Sequence, residues 1–227
     1  MQDDNALPAR REFLGKLGLM AIAATVPARP ELGEPRRART VGSPWDMSWV
    51  ERVSAAPYKV VIDGTKIDAA PLYTALDVMD TFHEVYDTRD EQVRAVVVMR
   101  HFGAAMGLTD ALWDKYGIGD ERKVTDPVTK APARRNIYLR PAPNEQEKWE
   151  LNSKIEPLVA RGVTILVCNR AAMGLASTLA KRANKPVEEV QADIRSGLVP
   201  GAVLMPNGVF ALIRAQNAGC ALYRGES

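Results

Sequence analysis

Val163-Thr164-Ile165-Leu166-Val167-Cys168 carries no charge, and four of its six residues are β-branched. A strand wet on one face would alternate apolar with polar residues, whereas an unbroken apolar run needs cover on both faces, as in a parallel sheet. Gly162 sets the run off from a helical pattern over about 145 to 160, so the chain reads helix, turn, buried strand.

The same reading extends in both directions. Upstream, Tyr58-Lys59-Val60-Val61-Ile62-Asp63-Gly64 and Ala95-Val96-Val97-Val98-Met99 are short apolar strands. Between them Leu72, Leu76, Met79, His83 and Tyr86 recur at offsets of four, three, four and three, one face of an amphipathic helix. Thr109 is placed to N-cap a short helix running through Trp113 to Tyr116, which Gly117 ends. Downstream, helices over 171 to 182, 187 to 195 and 209 to 217 separate strands at Ala202 to Met205 and Cys220 to Tyr223. Five buried strands alternating with helices predict an α/β fold, a three-layer αβα sandwich around a mainly parallel five-stranded sheet.

Outside this pattern lie two segments. Arg10-Arg11-Glu12-Phe13-Leu14, an apolar stretch from Leu17 to Val26 and then small and Pro-containing residues have the order of a twin-arginine export signal. The expected organisation is a signal segment over 1–28, a linker over 29–48 and one domain over 49–227. The expected location is the periplasm, with any membrane association through an uncleaved leader, since the apolar stretch is shorter than the roughly 20 residues that span a bilayer. The second segment, Ile118 to Pro143, is polar, contains four prolines and is longer than an ordinary connection. It reads as a functional loop, a lid or a protein-partner surface, or as a mobile one. Its Asp120, Arg122, Lys123, Asp126, Lys130, Arg134 and Arg135 are expected to be solvated.

Charge narrows the classes of partner. Residues 1–40 hold seven Lys/Arg against five Asp/Glu, and the remainder holds twenty-three of each, so the domain is neutral and lacks the basic excess of a nucleic-acid binder. No HxH, HExxH, CxxC, CxxCH, GxGxxG or Walker spacing occurs in the domain, so neither a metal site nor a cofactor is predicted.

In open parallel sheets ligands bind beyond the carboxyl ends of the strands. The residues there are Asp63 and Gly64, Arg100 and His101, Cys168 and Asn169, and Pro206 and Asn207. We therefore take Asp63, Arg100, His101, Asn169 and Asn207 as candidate ligand-binding residues and Cys168 as the candidate catalytic residue. A Cys168 thiolate would be favoured by Arg100, His101 or the helix that follows; equally, Cys168 is a small residue closing a core strand. His101 could serve as a base or a ligand, or as a hydrogen-bonded surface group, and His83, on the apolar stripe, reads as a satisfied core histidine. Cys220 begins the last strand and Cys168 ends its own, which places them too far apart for a disulfide.

From Arg161 onward the chain resembles the DsrE/DsrF-like family of sulfur-relay proteins. The likeness rests on Gly162 to Asn169, on Val199-Pro200-Gly201-Ala202-Val203-Leu204-Met205-Pro206-Asn207-Gly208-Val209, and on Ala215-Gln216-Asn217-Ala218-Gly219. It implies a DsrE-like fold, assembly into homo-oligomers and, for Cys168, the place of a cysteine that carries persulfide sulfur in some members. Three functions follow as expectations: a small-ligand or protein binding module, a thiol-dependent sulfur carrier or sulfurtransferase using Cys168, and an accessory subunit of a membrane redox complex.

Overall fold

The computed structural model describes residues 43–224. The expected signal segment and most of the expected linker lie outside them. The elements are α1 (Trp49–Ala55), β1 (Tyr58–Gly64), α2 (Ala70–Tyr86), β2 (Val93–Met99), a 3-10 helix (His101–Gly107), α3 (Asp110–Tyr116), α4 (Ile118–Arg122), α5 (Lys148–Asn152), α6 (Ile155–Ala160), β3 (Thr164–Cys168), α7 (Asn169–Ala183), α8 (Val187–Ser196), β4 (Ala202–Met205), α9 (Gly208–Asn217) and β5 (Ala221–Arg224).

All five strands are parallel, in the order β4-β3-β2-β1-β5. Successive strand residues sort into two cores, as the period of two demands. Val60, Ile62, Val97, Ile165 and Val167 pack with Leu72, Met79, Leu158, Leu175 and Leu179 from α2, α6 and α7. Val61, Val96, Val98 and Leu166 pack on the opposite face with Trp49 and Val53 of α1 and Ala211, Leu212 and Ala215 of α9. Each fully buried Val, Leu or Ile contributes about 1.5–3 kcal/mol, which is why these strands hold so few polar residues.

Strands β1 to β4 step in one direction and their helices share one face. The step from β4 back to β5 reverses direction, and right-handed crossovers then require the connecting helix, α9, to lie on the other face. The reversal makes the carboxyl ends of β3 and β4 a topological switch point, with α7 leaving to one side and α9 to the other.

Two expectations are corrected. The single helix over 145 to 160 is two, α5 and α6, separated at Ser153 and Lys154. Pro157 has no N–H for the Ser153 carbonyl, and its ring is tolerated only in the first turn of a helix, which is where α6 starts. In the 118–143 segment Lys123, Lys130 and Arg134 are exposed as expected, but the segment as a whole is packed and not a solvated loop. It contains α4 and a Thr125–Pro132 bridge, and it buries Ile118, Val124, Ala133, Tyr138 and Leu139 in the main core. Its clasp is Asn136, fully buried, whose Nδ2 donates to the carbonyls of Met106 (2.7 Å) and Leu108 (2.8 Å) and whose Oδ1 accepts from the Tyr138 N–H. Asp126 is likewise buried, with Arg135 donating to its carboxylate.

Candidate functional site

The carboxyl edge is built in register. Gly64 pairs with Met99, Met99 with Val167, and Cys168 with Met205. The ladder runs on past β2, because the Arg100 N–H donates to the Gly64 carbonyl at 2.9 Å. Continuing the β2–β3 register sets Arg100 beside Cys168, and the alternation that puts Val61, Val98 and Leu166 under α9 puts Asp63, Arg100 and Cys168 on that same face.

Asp63, almost wholly buried, receives two hydrogen bonds from Arg100: Nε donates to Oδ1 and Nη2 to Oδ2, each at 2.6 Å. A planar fork on a carboxylate is the strongest ion-pair geometry available to side chains. It is packed from below by α9, since a Cβ at Gly208 would lie 2.7 Å from the Arg100 Cβ. Asn207 spends its Oδ1 on capping α9, accepting the Val209 N–H at 2.8 Å. Cys168, 6% exposed, stands at the N-cap of α7 with its Sγ accepting the Ala171 N–H at 3.5 Å. Asn169 opens α7, and its Oδ1 is buried with no hydrogen-bond partner.

His101 stands apart from this packed group. It is exposed, and its φ of 49° is left-handed backbone, which costs a non-glycine residue about 1 kcal/mol or more. The turn is held by the next residues: the Gly103 N–H donates to the Thr65 carbonyl at 3.0 Å, and a Cβ at Gly103 would come within 2.7 Å of the Gly64 carbonyl oxygen. The 3-10 helix is thereby pressed onto the end of β1, and Phe102 is left 60% exposed. Over its ring lies Arg122, the last residue of α4, with the guanidinium carbon 4.9 Å from the ring centroid. Phe102 and Arg122 belong to the edge and were missed in the sequence. Phe102 was legible as an apolar residue just past a strand, but nothing distinguishes Arg122 from its charged neighbours in a linear reading.

No family model matches the chain, and no curated protein matches it. Among solved structures it is similar to a protein of unknown function from Methanobacterium thermoautotrophicum, at 17% identity over 74% of this chain and 98% of that one, with a TM-score of 0.34. A likeness at that level carries nothing about chemistry.

At the opposite edge of the sheet a surface depression of about 440 Å³ is lined by Asp80, His83, Lys148, Asn152 and Arg161. His83 is not the satisfied core histidine the stripe suggested. It is partly exposed, with Nε2 3.3 Å from Asp90 Oδ1 and Nδ1 3.5 Å from Arg161 Nη2, because the stripe has rotated off the core by the last turns of α2, where Tyr86 is also exposed. Arg161 donates to both Asp80 and Asp90; burial alone would lower its pKa, and these carboxylates raise it instead. The cluster ties α2 to the start of β3.

The two cysteines are free, as their strand positions predicted. Burial pushes the Cys220 thiol up to about 11, with Lys59 opposing.

Proposed function

We propose that the chain is an exported, DsrE-like domain that binds a small polar ligand at the carboxyl edge of its sheet and does no chemistry on it. The observation that carries this reading is the state of the polar groups along the carboxyl edge. Asp63 is engaged at both oxygens by Arg100, Asn207 caps α9, and the Cys168 thiol is buried and accepts a backbone N–H. What remains at the edge is the Asn169 side chain, whose buried Oδ1 has no partner, and the exposed His101. Polar groups fixed on pre-formed elements at the carboxyl ends of parallel strands are one part of what a ligand site needs. A library of small metabolites, screened by thermal shift on the full chain, tests the reading. Stabilising hits are expected to lose their effect in Asn169→Ala, and hits indifferent to that change count against it.

A second reading is favoured by one observation, the place of Cys168 at the start of the fifteen-residue α7 and, by continuation of the β2–β3 register, beside Arg100. In that reading the thiolate attacks the outer sulfur of a donor persulfide, taking that sulfur as Cys-S-S⁻ and releasing the donor as its thiolate. Native mass spectrometry before and after a thiol reductant decides it. A reductant-sensitive gain of about one sulfur, mapped to Cys168 and absent in Cys168→Ser, supports a carrier; an unmodified Cys168 supports binding alone.

A further inference from the structure

We propose that Arg122, with Phe102 and His101, forms the recognition surface for an organic acid: an anionic head group held by the guanidinium and an apolar or aromatic body laid on the exposed Phe102 ring. The inference rests on the reading of the carboxyl edge as a small-ligand site and adds its chemical class.

The guanidinium is the first reason. Arg122 is half-buried, and its Nε is shut off from solvent with no acceptor. Among the described residues it makes no ion pair, whereas Arg100, Arg135 and Arg161, also partly buried, sit on Asp63, Asp126 and the Asp80–Asp90 pair. The two carboxylates that precede it, Asp120 and Glu121, are both taken by Arg182 of α7. Burial therefore lowers the Arg122 pKa, with Glu121 opposing weakly across the chain. A charge that has given up hydration without gaining a partner is an unfavourable arrangement. An anion at its outward-facing N–H groups would supply the missing partner in fork geometry.

The ring is the second reason. Phe102 is among the most exposed large apolar side chains of the described residues, yet it is not loosely placed. The strained His101 turn and the close approach of Gly103 to the end of β1 fix the backbone on either side of it. Stacking with Arg122 orients the ring and the guanidinium together, so cation and apolar surface face solvent as one unit. His101, next in sequence to Phe102, is also exposed and is the second polar side chain available to the acid. Strain of this kind persists where the surrounding structure over-determines it and clusters at ligand clamps.

The test uses the full chain and a panel of probes titrated by NMR, with affinity read from the probe signals and location from the protein's backbone amide shifts: benzoate, phenylacetate and phenyl phosphate, each against a neutral counterpart (benzamide, phenylacetamide, phenol), with inorganic phosphate alone. At least one acid is expected to bind at least about tenfold tighter than its neutral counterpart and tighter than phosphate. Arg122→Gln should abolish that preference, Arg122→Lys should retain part of it, and Phe102→Ala should weaken acid and neutral probe alike. Arg122 and Phe102 both reach the surface, so the variants should fold, and a circular dichroism melt checks it. Acids that bind no better than amides, or an Arg122→Gln variant that keeps the preference, overturn the proposal. If the acids still disturb the Asn169 and Asn207 amides in that variant, the binding edge stands and only the role of Arg122 falls. Binding that disturbs no residue of the edge overturns both.

Discussion

Replacing Asn136 by Ala removes three hydrogen bonds from a side chain that has no exposure to water. The Met106 and Leu108 carbonyls and the Tyr138 N–H lose the amide that served them. The Asn136 backbone N–H keeps Asp110 Oδ1 at 2.8 Å. Three buried groups left unpaired at about 1 kcal/mol or somewhat more each give a loss of about 3–4 kcal/mol. The isosteric Asn136→Asp should cost more, because a carboxylate then faces two carbonyl oxygens in place of an N–H₂ group. Urea denaturation followed by circular dichroism reads both losses. Fluorescence of the protein's tryptophans, among them buried Trp113, whose Nε1 donates to the Ala105 carbonyl, reports the same region. The consequence reaches the candidate site, since Asn136 clasps the end of the 3-10 helix that carries His101 and Phe102 to the segment that carries Arg122. A loss below about 1 kcal/mol would refute the argument that this amide, and not the length of the segment, holds 118–143 in place.

Other outcomes follow from the same structure. Asp63→Asn should destabilise by about 2–4 kcal/mol in denaturant titration by replacing the buried carboxylate under the Arg100 fork with a neutral amide whose N–H₂ faces the guanidinium. Combining it with Arg100→Gln should cost less than the two single changes added together. Tyr138 has its hydroxyl pushed up to about 12 by burial, with Asp68 adding to the effect. The fold therefore favours the neutral phenol, and the stability this confers is complete below an unfolded pKa of about 10 and is lost as pH rises toward about 12. Tyr138→Phe should remove that alkaline loss in melts across the range, at a cost near neutrality of about 1 kcal/mol for the bond to the Ile67 carbonyl. Cys220, a buried thiol with its pKa near 11, should resist iodoacetamide in the native protein at neutral pH and react once urea unfolds it, as peptide mapping would show.

The three central strands were legible because burial on both faces leaves a mark in nearly every residue, whereas the edge strand β5 is exposed along its length and β4 only partly buried, against the expectation of five buried strands. Tyr58–Gly64 and Ala202–Met205 have the bounds the apolar runs imply. Helix ends marked by Gly117 were equally plain, since a left-handed residue after the last turn favours glycine. The carboxyl-edge residues could be named because parallel strands deliver them there whatever the details of packing. The state of each side chain could not be named. That Asp63 and Arg100 neutralise one another, and that Asn207 is consumed as a cap, depends on distances across elements far apart in sequence. The 118–143 segment misled because its prolines and charges resemble a solvated loop, while its buried residues, such as Ile118, Val124 and Leu139, are spaced without helical or strand periodicity. Asn136 carries no local sign of its role, and Arg122 differs from Arg134 only in what folds against it.

If a small ligand binds this chain, it should meet it at the carboxyl edge of the sheet. Backbone amide chemical shifts of the full chain, recorded while a stabilising ligand from the metabolite screen is titrated, test it most directly. Shifts should be concentrated at Arg100 to Gly103, Cys168 to Ala171 and Asn207 to Val209. Shifts concentrated instead around His83, Lys148 and Arg161, at the opposite edge, would contradict it.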